Sequence, residues 1–134
     1  LIKYENTRKG NISIIHGDPV FSNILIDNTD KIKFLDPRGE INYFQTIYGD
    51  IFYDYAKIYQ SLTGFEQIIH QSDVNNLFYE EKKIFFENFF KSKFVDFDFN
   101  FLKILTASMY ITLIPLQDHR HSRKFIELAK KLIN

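Results

Sequence analysis

Three side chains suited to phosphate chemistry lie close together in "IIHGDPVFSNILIDNTDKIKFLDPRGE": Asp18, Asn23 and Asp36. A hydroxyl attacks a phosphoryl centre when its proton has a base to go to and the charge on the phosphate oxygens is offset. Asp18 follows an apolar run and a glycine, where a carboxylate can point into a cleft as that base. The amide oxygen of Asn23 and the carboxylate of Asp36 are hard oxygen donors of the kind magnesium prefers. His16 is expected to brace the turn rather than react. Arg38 suits either a substrate or phosphate contact or a plain surface position.

The elements that must hold these residues are legible as a change of period. "NISIIHG", "SNILIDN" and "KIKFLDP" are short apolar runs bounded by Gly, polar turns and Pro, which predicts three strands, the second and third forming a hairpin. From Gly49 onward the spacing is helical. "GDIFYDYAKIYQSLTG" predicts a helix capped by Asp50, ending at Gly64, with Ile51, Tyr55, Ile58 and Leu62 on one face and Asp54–Lys57 as an i, i+3 pair. "DVNNLFYEEKKIFFENFFKS" predicts a second helix, with Asp73 as its cap and Phe85, Phe86, Phe89 and Phe90 packing inward. "FNFLKILTASMYITLIPL" is apolar nearly all round and reads as the central core helix. "DHRHSRKFIELAKKLIN" gives a fourth, with Phe125, Leu128, Ala129 and Leu132 at helical spacing. Asp118, His119 and His121 are too closely spaced for a helical metal site and read as an exposed basic helix start. The expected class is α+β, mostly helical: a small β unit carrying the chemistry, then about four helices.

Bulk composition narrows the classes. A chain of 134 residues suffices for a single domain spanning 1–134. Lys plus Arg and Asp plus Glu number 17 each, which gives no net pull toward nucleic acid. Cysteine is absent, so disulfides and thiolate–zinc sites are excluded. The longest apolar patch, Leu102 to Leu116, is interrupted by Lys103, Thr106, Ser108 and Pro115, so neither membrane insertion nor a signal peptide is expected, and a cytoplasmic location is. The 15 Phe and 8 Tyr look like coding bias more than function. The chain opens on Leu1, which suggests a piece of a longer protein.

Taken together, "HGDPVFSNILID", "KIKFLDPRGE" and "YGDIFYDYAKI" resemble the aminoglycoside phosphotransferase and choline kinase family, whose fold is protein-kinase-like. Within it they are most similar to bacterial phosphotransferase-like proteins associated with capsule or surface-polysaccharide genes. The spacing matches the H-x-D-x-x-x-x-N loop of kinases, followed downstream by a metal-binding Asp. The resemblance implies Asp18 as catalytic base, Asn23 and Asp36 as ligands of Mg2+, and His16 with Asp50 as supports of the loop. It further implies ATP as donor and a hydroxyl of a sugar or amino-alcohol as acceptor.

Gly17 stands where protein kinases carry Arg, and Pro37-Arg38 replace the Phe-Gly after the metal-binding Asp. Both departures favour a small-molecule kinase over a regulated protein kinase. The five glycines (10, 17, 39, 49 and 64) include no G-x-G pair, and no strand-borne Lys precedes His16. The expectation is therefore a kinase-like C-terminal lobe lacking its N-terminal ATP-clamping lobe, with little turnover alone. A non-catalytic kinase-like scaffold is the first alternative. A metal phosphoesterase built on His16, Asp18 and Asp36 is the weaker one.

Overall fold

The computed structural model describes residues 10–41, 43–70 and 76–134, together with Asn6. Among the described residues, six short strands form three two-stranded antiparallel sheets. Strand β1 (Ile12–Ile14) leads into the chemical loop, which ends in a 3₁₀ turn at Phe21–Asn23. The expected hairpin comes next: β2 (Ile24–Ile26) pairs with β3 (Ile32–Phe34), Ile24 opposite Phe34. Its turn is closed by Asp27, whose Oδ1 accepts from the Thr29 N–H, the Thr29 hydroxyl and the Lys31 N–H. Those bonds, the Thr29 hydroxyl first, hold the Asp27 carboxyl below the usual range. Two further pairings were not expected. Strand β4 (Glu40–Ile41) pairs with β5 (Phe44–Gln45), and β6 (Tyr48–Asp50) returns to β1 with Ser13 opposite Gly49.

Helix α1 (Ile51–Leu62) begins where β6 ends. Asp50 caps it as expected, its side chain accepting from the Phe52 N–H at 3.1 Å. Gly64, with φ of 124°, lets the chain turn at once into a helix that periodicity did not reveal, α2 (Phe65–His70). Six residues are too few to display a helical period. Three longer helices complete the fold: α3 (Asn76–Lys93), α4 (Phe99–Leu113) and α5 (His119–Ile133). The architecture is thus α+β and mostly helical, with five α-helices among the described residues. Asp73, expected to cap α3, lies outside the described residues.

Helix α1 is covered on more than one side. Its most deeply buried stripe is Phe52, Ala56 and Tyr59, one position further round than the expected Ile51–Tyr55–Ile58 face, whose members are half-buried. Leu62 is buried as expected. Helix α4 lies between α1 and α5 and buries Phe99, Leu102, Thr106, Ala107, Met109 and Tyr110. By length and composition Phe99–Leu116 could cross a membrane, with mean hydropathy 1.4. Here it is the helix against which α1 and α5 pack. Pro115 ends it by forcing a 3₁₀ turn over Ile114–Leu116. Asp118 caps α5 and also holds the Arg120 guanidinium, which makes "DHRHSRK" the exposed helix start that its spacing suggests.

The aromatic residues knit the helices together. Phe52 stacks on Phe97 at 3.9 Å between centroids, Tyr59 stacks on Phe86 at 5.4 Å, and Phe90 meets Phe99 edge-on at 5.5 Å. Of the four Phe in α3, Phe86 and Phe90 are buried, while Phe85 and Phe89 remain exposed. Two phenols are sealed inside: Tyr59 donates to Glu87 at 2.6 Å and Tyr110 to the Gln60 carbonyl at 2.8 Å. Burial pushes both far above the ordinary phenol value, and the Glu87 bond raises Tyr59 further. A phenol ionised only in the unfolded chain leaves the native state holding more protons, so stability is intact below about pH 10 and falls above it. In an absorbance titration, two of the eight tyrosines are expected to ionise only as the fold is lost. Smooth titration of all eight before unfolding would contradict this packing.

Candidate functional site

The segment from Ile15 to Asn23 has almost no regular structure, and its shape is imposed by side chains from helices. Asp54, one turn into α1, accepts from two successive backbone groups: the His16 N–H at 2.7 Å and the Gly17 N–H at 2.9 Å. Glu66 of α2, only 5% exposed, accepts from the Phe21 N–H at 3.1 Å and from the Ser61 hydroxyl at 2.8 Å. Ser61 Oγ also accepts from the Phe21 N–H. Two carboxylates on consecutive helices therefore grip the loop at its two ends. Carboxylates suit this task because each oxygen accepts charge-assisted bonds from N–H groups.

Within that grip the predicted residues take definite places. His16 Nδ1 accepts from the Asp18 N–H at 3.2 Å, and its ring packs 5.6 Å from Phe34 of the hairpin. Asn23 donates its side-chain N–H to the Asp18 carbonyl at 2.9 Å, closing the turn and leaving its amide oxygen directed elsewhere. Segment 35–38 runs beside the loop: the Leu35 N–H bonds to the Asn23 carbonyl, and the Arg38 N–H to the His16 carbonyl. Asp36 falls between those two bonds, exposed, with φ of 54°. These bonds set the segment that carries Asp36 alongside the loop that carries Asp18 and Asn23. An amide oxygen and an exposed carboxylate fit a hard divalent cation that keeps much of its own hydration or takes phosphate oxygens. Among the described residues no cluster of three His, Asp or Glu side chains could hold a metal without such help.

Asp18 has a partner that local spacing concealed. Lys57 of α1 brings its ammonium to 3.0 Å from Asp18 Oδ1, with its side chain 10% exposed against 37% for Asp18. The expected Asp54–Lys57 pair is replaced by two longer-range contacts, Asp54 to the loop backbone and Lys57 to the loop carboxylate. The support expected from Asp50 is divided similarly. Asp50 caps α1 and accepts from the Asn11 N–H at 3.1 Å, whereas the bonds to the His16–Gly17 backbone come from Asp54. Arg38 lies over Gly17 and donates to the Tyr53 hydroxyl at 3.1 Å. Gly17 has φ of 83°, and a Cβ there would sit 2.7 Å from the Arg38 Cβ. Conformation and space both require glycine at this point.

Beside the loop an open groove of about 550 Å³ runs between α1 and the strands, lined by Ile15, His16, Phe34, Ile51, Tyr55 and Ile58. The strand unit is apolar on its outside as well: Ile12 is 81% exposed and Phe44 75%. Sequence reasoning missed Asp54, Lys57, Ser61 and Glu66 as parts of the site. The available signal was the placement of polar groups on helices otherwise rich in apolar and aromatic residues.

Comparison with protein-family models, curated proteins and solved structures finds no match to this chain. The functional reading therefore rests on geometry, and its central contact can be measured. Asp54→Ala removes the acceptor of two half-buried N–H groups and is expected to cost about 2–4 kcal/mol in urea unfolding. Asp50→Ala, chiefly a cap loss, is expected to cost about 1 kcal/mol. Equal losses would show that the Asp54 clasp does not govern the loop.

Proposed function

We propose that this chain is the catalytic lobe of a magnesium- and ATP-dependent phosphotransferase acting on a hydroxyl of a small molecule, a sugar or an amino-alcohol. The observation that carries the reading is the fixed loop. Its backbone is tied at His16, Gly17, Asp18 and Phe21, while the Asp18 carboxylate remains partly open to solvent. A proton acceptor held on a rigid turn, next to hard oxygen donors, is what in-line attack on a phosphoryl group requires.

In this reading Asp18 takes the proton of the attacking hydroxyl. Asn23 and Asp36 hold Mg2+, which when bound offsets charge on the donor's phosphate oxygens. His16 orients Asp18 through its backbone N–H, and Asp54 and Glu66 keep the loop from relaxing. The kinase-like fold, the link to surface-polysaccharide synthesis and the cytoplasmic location belong to the same proposal. So does a cover for the exposed strand face, supplied by an ATP-clamping lobe.

The scaffold reading draws on that same exposed apolar face, which suits a binding module equally well. The phosphoesterase reading would need a third metal-ligating side chain near Asp36, and the described residues group none there.

The test is ATP turnover, measured as ADP release, by the full-length protein that contains this sequence. Magnesium is expected to be required, and Asp18→Asn to lower turnover by about 10²–10⁴ in protein that remains folded. Asp36→Asn is expected to raise the magnesium concentration needed. Wild-type protein that neither binds nor turns over ATP with magnesium would favour the scaffold, and near-normal turnover by Asp18→Asn would remove Asp18 as base.

A further inference from the structure

Lys57 is left without a task by the roles assigned so far, yet among the described residues it is the cation paired with the proposed base. Its ammonium lies 3.0 Å from Asp18 Oδ1 and 6.0 Å from the centre of the Tyr53 ring, with nine-tenths of its side chain covered. An ammonium has three donors. Among the described residues, Asp18 is the one ion-pair partner of Lys57. A nearly buried cation facing one half-exposed carboxylate is an expensive arrangement for stability alone, because the desolvation cost is only partly recovered. The Arg38 guanidinium lies 5.8 Å from the same Tyr53 ring. Two cations thus lie near one tyrosine ring.

We infer that Lys57 is a catalytic residue that binds the transferring phosphoryl group, exchanging its Asp18 contact for a phosphoryl oxygen as the reaction proceeds. The inference rests on the phosphotransferase reading above. In the step concerned, the acceptor oxygen forms a bond to the γ-phosphorus of ATP. The bond from that phosphorus to the bridging oxygen breaks, its electron pair leaving on ADP, and the hydroxyl proton passes to Asp18. Protonation removes the negative charge that faced Lys57, and the phosphoryl oxygens supply another at the same moment. An attacking oxygen held by Asp18 stands about 3–3.5 Å from phosphorus. An ammonium 3.0 Å from Asp18 is therefore bound to the same carboxylate that would hold the attacking oxygen.

Calorimetric titration of the full-length protein with MgATP and with MgADP separates this role from a structural one, since only ATP carries the γ-phosphoryl group. Wild type is expected to prefer ATP. K57M is expected to lose that preference by about tenfold or more, as befits a charge-assisted contact, with ADP affinity within about twofold of wild type. K57R is expected to retain most of it. D18N, which frees Lys57 from its carboxylate, is expected to bind ATP more tightly than wild type, and K57M/D18N to lose that gain. Parallel loss of ATP and ADP affinity in K57M, or no change in either, overturns the role of Lys57 while the phosphotransferase reading stands. Wild-type protein that binds neither nucleotide with magnesium overturns both.

Discussion

The two hydrogen bonds from the His16 and Gly17 amides to Asp54 are the constraint on which the rest of the site depends. A loop of this kind has little local reason to hold one shape. Asn23 closes its turn and His16 caps Asp18, but both are short-range bonds that the unfolded chain could form and lose. Asp54 ties the loop to a helix whose other faces are locked in the core by Phe52, Ala56 and Tyr59. The position of Asp54 is set in turn by the start of α1, where Asp50 both caps the helix and accepts from the Asn11 N–H at the edge of β1. Strand pairing, helix start and loop grip form one chain of cause. The β1–β6 register sets where α1 begins, and one turn later a carboxylate is in place to hold the loop that leaves β1.

The aromatic core carries the same logic into energetics. Phenylalanine abundance, read from composition as coding bias, turns out to be the material of the helix contacts: Phe90 lies within ring contact of Phe52, Tyr55, Phe86, Phe94, Phe97 and Phe99. Each such ring pair adds about 0.5–1.5 kcal/mol to the area it buries. A single residue with six aromatic neighbours fixes α1 against α3 and the start of α4. That rigidity reaches Asp54 and Lys57, because both stand on α1. The exposed Phe85 and Phe89 show the limit of reading helical spacing as burial, since a helix with aromatics on two faces needs cover on both.

What could be read from the sequence was what nearest neighbours decide. The hairpin, the Asp50 cap and the central helix follow from alternation, turn residues and apolar runs that act within a few positions. The turn from Asp18 to Asn23 was legible because its residues are close in the chain. The groups that hold it were not. Asp54 acts across 38 residues, Glu66 across 45, and Lys57 on Asp18 across 39. Within α1 an aspartate and a lysine three residues apart satisfy a local rule, and that rule competes poorly with two amide donors and a half-buried carboxylate brought in by the fold. Helix α2 escaped notice for a related reason: it begins directly after Gly64 and ends before a second turn can repeat its pattern.

Asp36 illustrates how such long-range ties can hold a conformation that its own residue type resists. A positive φ is uncommon for any residue with a side chain, although aspartate tolerates it better than most. Asp36 also precedes Pro37, whose ring favours extended backbone in the residue before it. Strain of this type amounts to about 1–3 kcal/mol and persists only where the surroundings over-determine the chain. Here they do. The Leu35 N–H is bonded to the Asn23 carbonyl on one side and the Arg38 N–H to the His16 carbonyl on the other, while Arg38 is pressed onto a Gly17 that has no room for a side chain. The path between those fixed points is short, and the left-handed bend at Asp36 joins them. The same bend leaves Asp36 outside the strand pairing and exposed. The strain is thus a consequence of tying two segments at three places.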